Sequence, residues 1–347
     1  MALSSSSLSS IPLSFASVSV GTPDTPLESK LRAISSAGFQ AIELGFPDLL
    51  SFAKTYLKKD MAEDDYASLC TAGKEVKALC KKHNLQIMML QPFSNFEGWA
   101  PGSQEREDAF KRARGWIEIM HAVGTDMLQV GSTDSPNIST SLPTLANDLR
   151  ELADLLAPHS YRLTYENWCW ATLAPTWSKV WEIVQLVNRP NIGLCLDTFQ
   201  TVGSEYADPT TPSGLISTQS NLQTTFSASL TSLTTSIPPQ KIFVLQISDA
   251  YQPPSPLSPS TLNGLRPKGR WSHDFRPFVY EGAYSAQCVE FAKAVLGTGS
   301  RGWVSVEVFD GGVDGKDVHR ERVGVEEFCK RGMESVRRLL EECVVSE

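Results

Sequence analysis

The chain has no run of 18 apolar residues, which excludes a membrane-spanning helix. Its Ser-rich start, MALSSSSLSS, lacks a basic leader region. The Ser-interrupted IPLSFASVSVG that follows therefore reads as a first strand rather than a signal peptide. The seven cysteines are odd in number and form no C-x-x-C pair. This argues against a disulfide framework or a thiolate metal cluster and for reduced thiols in a cytoplasmic protein. Positive charge is also in deficit. Lys and Arg total 31 against 39 Asp and Glu, a formal net charge of −8, so no polyanion-binding surface is expected and nucleic acid is excluded as a partner. Neither G-x-G-x-x-G after the first strand nor G-x-x-x-x-G-K-[ST] anywhere is present, which removes the common dinucleotide and nucleotide cradles.

What the chain does have is alternation. Eight strand-like runs can be counted, at 12–20, 40–46, 85–93, 126–131, 162–168, 191–199, 241–249 and 303–310. Most are nearly continuous in apolar residues, as strands covered on both faces must be. Helical periodicity fills the gaps, as in PLESKLRAISSAG, REDAFKRARGWIEIMHAVG and VEEFCKRGMESVRRLLEECV. NLQTTFSASLTSLTTS is the weakest of these, because Ser and Thr are poor helix formers. Eightfold β–α alternation with no domain break predicts an α/β fold of the (β/α)8 TIM-barrel type. A single domain is expected over 8–345, with 1–7 a flexible N-terminal segment. The longer connections, 46–64, 92–104, 200–220 and 250–284, follow strands and so fall on the rim where barrels carry their sites.

Four polar residues end strand-like runs in the second half: Glu166 in RLTYENW, Asp197 in NIGLCLDTF, Gln246 in KIFVLQISD and Glu307 in WVSVEVFD. One carboxylate at such a place is readily explained as a helix cap or an Arg partner. Three carboxylates and an amide on adjacent strand ends would repel or stay protonated unless a cation joins them. All-oxygen ligation favours Mg²⁺ or Mn²⁺, with Co²⁺ or Zn²⁺ also able to bind. Glu43, Gln91 and Gln129 are further strand-end polar residues; Glu43 is read as a catalytic or substrate-binding group, a second metal ligand or an ion-pair partner. His273 is the single histidine in the longer connections, flanked by Arg266, Lys268, Arg270 and Arg276. Trp168, Trp170, Trp177 and Trp181 either wall a ring-shaped substrate or pack beneath the loop.

The strand-end set Glu, Asp, Gln, Glu resembles that of the xylose isomerase-like barrels of sugar isomerases and epimerases. More narrowly, AIELGFPDL, LQPFSNFEGW, TDMLQVGS, YENWCWATLAPTW, RPNIGLCLDTFQ, VLQISDA and VSVEVF are similar to 3-dehydroshikimate dehydratases of the fungal type, along nearly the whole chain. The resemblance implies one divalent metal held by Glu166, Asp197, Gln246 and Glu307. It also implies conversion of 3-dehydroshikimate to protocatechuate and water, in quinate and shikimate catabolism. The candidate catalytic positions are Glu43, Gln200 and His273, with a metal-bound water the alternative to His273, and the candidate substrate contacts are Gln91, Asn95, Arg270 and Arg276. Two residues depart from the bacterial pattern: Gln200 stands where those members have a histidine acid/base, and Ser94 where they have an arginine. Gln200 cannot carry a proton at neutral pH. A sugar or ketose isomerase or epimerase on the same cage, and a non-catalytic metabolite-binding barrel, therefore stay open, as does homo-oligomerisation.

Overall fold

A computed structural model of the chain describes residues 5–216, 221–316 and 323–344. Residues 1–4 of the expected flexible segment and residue 345 at the expected domain end lie outside that range, while Ser5–Ser10 form a 3-10 helix. Eight parallel strands close into a barrel. They are β1 (Leu13–Ala16), β2 (Ala41–Gly45), β3 (Gln86–Phe93), β4 (Met127–Gly131), β5 (Arg162–Glu166), β6 (Ile192–Asp197), β7 (Ile242–Ile247) and β9 (Trp303–Val306). All eight coincide with runs read from the sequence. Strands buried on both faces must be almost wholly apolar on the outside, and the seams with the surrounding helices bear this out: Phe15, Ile42, Leu44, Leu163, Leu194 and Leu196 are all fully buried.

The helices are α1 (Leu27–Ser36), α2 (Phe46–Leu57), α3 (Tyr66–Lys82), α4 (Gln104–Val123), α5 (Leu142–Leu156), α6 (Trp177–Val187), α7 (Thr198–Glu205), α8 (Leu222–Ser236), α9 (Pro267–Asp274), α10 (Ser285–Gly297) and α11 (Val325–Glu342). Local chemistry sets their limits. Ser103 and Thr176 accept N3 backbone hydrogens at the starts of α4 and α6, and Gly124 ends α4 in the left-handed region at φ 77°. The weakly predicted α8 forms because Phe226, Leu230 and Leu233 recur on one buried stripe. Its Thr231, Thr234 and Thr235 hydroxyls bond the carbonyls one turn back, so packing overrides poor propensity. Among the described residues no helix is long and apolar enough to cross a membrane.

Three expectations are corrected at the strand ends. The run at 12–20 is a strand only to Ala16; Ser17 and Ser19 then turn in a 3-10 helix and use their hydroxyls to accept the Gly45 and Val308 N–H groups. The run at 191–199 stops at Asp197, because that carboxylate caps α7 immediately after it. The run at 303–310 breaks at Glu307, and its tail pairs as β10 (Phe309–Asp310) with β8 (Phe275–Arg276) in a separate antiparallel ribbon. Three of the longer connections also carry helices: α2 begins directly after β2, α7 runs into 200–220 as far as Glu205, and α9 sits within 250–284.

The barrel interior is stratified. Met88, Met89, Met127, Cys195, Val244 and Ala41 form an apolar floor, closed by Phe243 and Trp303. Two residues further along the inward faces the side chains become polar. Outside the barrel, Lys30 on α1 and Asp48 on α2 form a 2.8 Å ion pair with both side chains buried. Removing one partner of such a pair leaves an uncompensated charge. Asp48→Ala should therefore destabilise the protein by about 3–5 kcal/mol in chemical denaturation, whereas an exposed pair such as Lys179–Glu182 should contribute under about 1 kcal/mol.

Candidate metal centre and active site

The register of the sheet brings the four strand-end residues to one rim. Asp197 pairs with Gln246, and Gln246 with Ser305, so Glu307 stands one inward step above that row. Glu166 pairs across from Cys195, one inward step below Asp197. One carboxylate oxygen from each of Glu166, Asp197 and Glu307 lies within 4.8 Å of the others, and all three residues are buried.

Arg276 is their only cationic contact among the described residues. Delivered by the β8–β10 ribbon, it bonds Asp197 Oδ2 through Nη2, Glu307 Oε2 at 2.9 Å through Nη1 and Ser248 Oγ at 2.7 Å through Nε. The other Asp197 oxygen accepts the Gln200 N–H at 2.9 Å. Glu307 Oε1 accepts Gln91 Nε2 at 2.9 Å. Glu166 Oε2 accepts Gln129 Nε2 and the Trp168 indole N–H, but its Oε1 is buried with no hydrogen-bond partner. Trp168 reaches that position only because Gly131 lies beneath it: a Cβ there would stand 2.1 Å from the indole.

One guanidinium cannot neutralise three carboxylates, and the titration of the group reflects it. Burial pushes Glu166 well above the usual carboxylate range, and the Glu307 and Asp197 charges add to the shift. Burial raises Asp197 to about 6, against the opposing pull of Arg276. For Arg276 burial works against the charge, but the three carboxylates outweigh it and hold the guanidinium protonated. An excess of negative charge, an all-oxygen donor set and an orphaned buried oxygen on Glu166 suit a divalent cation.

Gln246 lies next to this group. Its Nε2 donates to Glu43 Oε2 at 2.9 Å, and its Oε1 accepts from the Cys195 thiol at 3.0 Å. Glu43 is fully buried below the rim. Gln200 is not on the cavity wall; its side-chain oxygen accepts the Cys169 N–H at 2.9 Å, which ties the end of β5 to α7.

Above the carboxylates opens a cavity of about 320 Å³ that includes Gln91, Gln129, Glu166 and Glu307 in its lining. His273, stacked on Phe309, and Asn95 are on the same wall, together with Trp168 and Trp170, which stack on each other at 5.1 Å. Arg270 is elsewhere, its guanidinium donating to the Ser258, Ser260 and Leu265 carbonyls within its own loop. A neighbouring cavity of about 370 Å³ shares Pro92 and Ser94 with this one but contains none of the three carboxylates. Two site residues escaped the sequence reading. Asp134 lines the cavity and accepts the Trp170 indole N–H at 3.2 Å; nothing in its loop context marks it. Phe309 follows Glu307 by two residues, and that period-two spacing was the available signal.

A closed eight-stranded barrel with an acidic rim of this kind defines a xylose isomerase-like TIM barrel, and the family model of that description matches residues 31–329. The chain belongs to that family. Within it, the chain is 33% identical over 297 residues to the 3-dehydroshikimate dehydratase of Neurospora crassa, covering 82% of this chain and 81% of that one. It is therefore a relative of carbon–oxygen lyases, as its motifs led us to expect. Two solved structures share the fold. A xylose isomerase-like TIM barrel/4-hydroxyphenylpyruvate dioxygenase fusion protein superposes with a TM-score of 0.69 at 24% identity; the match covers 97% of this chain but only 45% of the fusion. The IOLI protein, described with a bound zinc atom, gives a TM-score of 0.68 at 17% identity, covering 97% of this chain and 100% of that one.

The raised carboxylates carry a sign that can be checked. A carboxyl whose folded pKa exceeds its unfolded value near 4 contributes stability that is complete below the unfolded pKa and is lost as pH rises toward the folded one. In chelator-treated protein, Glu166→Gln should therefore melt above wild type at pH 7.5. That advantage should shrink on descending to roughly pH 4.5, near the unfolded value. An advantage independent of pH would show that Glu166 is not strained by its burial.

Proposed function

We propose that the chain is a divalent-metal-dependent dehydratase that converts 3-dehydroshikimate to protocatechuate and water. The reading is carried by one juxtaposition: Glu166 and Glu307, two of the three converging carboxylates, share a cavity wall with an imidazole, His273. This occurs in a chain one-third identical to a 3-dehydroshikimate dehydratase. A divalent ion held by Glu166, Asp197 and Glu307, with Gln246 beside them, supplies Lewis-acid polarisation of a ketone and stabilises enolate charge.

The chain's own residues do the rest. Trp168 and Trp170 present flat apolar surface to a six-membered ring, and their stacking holds that surface in place. Gln91 and Asn95 offer amide groups to ring hydroxyls. An imidazole nitrogen of His273 takes the proton from the carbon next to the ketone, and the electron pair of that C–H bond forms the new C=C bond to the adjacent carbon as the C–O bond of that carbon breaks. The imidazolium returns its proton to the departing hydroxyl, which leaves as water. The remaining enol tautomerises to the aromatic diol. Gln200 holds β5 to α7 and moves no proton, so the acid/base role falls to His273. Arg276 braces Asp197 and Glu307 rather than contacting substrate, and Arg270 braces its own loop. The ion is Mg²⁺ or Mn²⁺ before Co²⁺ or Zn²⁺, on the hardness of its donors.

Protein loaded with Mn²⁺ should generate the ultraviolet absorbance of protocatechuate from 3-dehydroshikimate. Chelation should abolish the signal and added Mn²⁺ should restore it. His273→Asn should lower kcat by roughly 10²–10⁴-fold with metal content unchanged, whereas Glu307→Ala should lose both metal and turnover. Turnover unaffected by chelation would end the metal reading; absence of protocatechuate from fully loaded protein would end the dehydratase reading.

A further inference from the structure

Glu43, in β2, is a buried carboxylate that stands outside the rim group. Glu43 is as buried as Asp197, yet it is not among the carboxylates that converge within 4.8 Å. It is also absent from the cavity wall, so it touches neither substrate nor solvent there. Its contacts are amides. Glu43 Oε2 accepts Gln246 Nε2 at 2.9 Å and Gln91 Nε2 at 3.2 Å. The same Gln91 nitrogen donates its second hydrogen to Glu307 Oε1 at 2.9 Å.

We infer that Glu43 is a positioning residue that presets the metal-binding rim, fixing Gln246 directly and Glu307 through Gln91 by accepting hydrogen bonds at a single oxygen. The inference rests on the metal reading above and adds to it which residue orients the donors. Its logic is that of an amide with two unlike ends. Once the Gln246 NH2 is committed to Glu43, the other terminal atom must be the oxygen, and it faces away, beside Cys195. An unheld amide could turn its NH2 toward the cation and repel it. Gln91 likewise has two hydrogens and two acceptors, so its position is set from below by Glu43 and transmitted to the Glu307 carboxylate above. Such outer contacts set the geometry of first-contact donors and change metal affinity when lost.

The role requires only that an acceptor stand at Oε2; the Ser305 hydroxyl also bears on this carboxylate. That separates two substitutions of similar shape. Glu43→Gln can keep an oxygen at the Oε2 place; Glu43→Leu removes the acceptor and frees both amides.

The test is calorimetric titration of chelator-treated protein with Mn²⁺, alongside the visible ligand-field spectrum of the Co²⁺ form. Glu43→Leu should weaken Mn²⁺ binding by about 10–100-fold and shift the Co²⁺ bands. Glu43→Gln should bind and absorb like wild type. Wild-type affinity and spectrum in Glu43→Leu would overturn the inference while leaving the metal site standing. Equal losses in the Gln and Leu variants would also overturn it, since charge rather than hydrogen-bond acceptance would then be at work. Should Glu43→Leu not fold, Gln91→Met breaks the relay to Glu307 with Glu43 in place; an altered affinity and Co²⁺ spectrum supports the inference, and wild-type values overturn it. Wild-type protein that takes up no ion would overturn both this inference and the metal reading.

Discussion

Three buried carboxylates facing one guanidinium is the constraint around which the C-terminal rim of this barrel is built. Each carboxylate by itself could be satisfied by neutral donors, but three within 4.8 Å cannot all be ionised against a single Arg276 without cost. Much of the surrounding chain can be understood as supplying that one cation. The long excursion after β7 folds α9 and then β8, whose pairing of Arg276 with Phe309 lays the guanidinium against Glu307 and Asp197. Phe199 and Phe309 flank it with their rings, at 5.1 and 5.6 Å, which lowers the cost of holding a dry positive charge. The break at Glu307 that ends β9 is the same feature seen from the backbone: the strand must stop for its tail to turn and pair with β8.

Beneath the rim the barrel changes character in layers. A sulfur-rich apolar floor gives way to Gln91, Gln129, Gln246 and Glu43, and these to the carboxylates. Amides suit the middle layer because they donate to the charged layer and have no charge of their own to desolvate. The three amides together make donor contacts to Glu43, Glu166 and Glu307, so the acidic rim rests on a lattice of amide hydrogen bonds. The stacking of Trp168 on Trp170 continues the sequence outward to an aromatic wall, with one indole N–H reaching Glu166 and the other Asp134.

The strands were legible in the sequence because parallel barrel strands are apolar on both faces, and their rim residues stood out because a carboxylate ending such a run is unusual. Less legible was anything set by a partner far along the chain. Arg276 read as one of several basic residues in a polar loop; only the pairing of β8 with β10 distinguishes it from Arg270, six residues earlier, which bonds its own loop. Ser17 and Ser19 looked like strand positions, since no local pattern reveals that their hydroxyls replace ladder acceptors for Gly45 and Val308. The helix of Ser and Thr at 222–236 was legible only as a weak pattern, its stability lying in three buried side chains rather than in propensity. Gln200 shows the opposite case: the sequence marked its position, but only the Cys169 N–H contact shows that the residue there is a strut.

Among the described residues, the lining of the candidate cavity carries Asp134, Glu166 and Glu307, one histidine and neither Lys nor Arg. By itself such a wall repels an anion, and Ser94, after the Q-P-F phrase, adds no positive charge to it: its carbonyl oxygen accepts from Arg112. An acidic substrate such as 3-dehydroshikimate is therefore compatible with this cavity only if the local sign of charge is reversed. A divalent cation in the rim would do so, since it would be the largest charge in its surroundings and would invert the electrostatics of the groups around it. On that reading, the ion that relieves the surplus of rim carboxylates would also make the cavity hospitable to an anion, and ion binding and substrate binding would be linked rather than independent events.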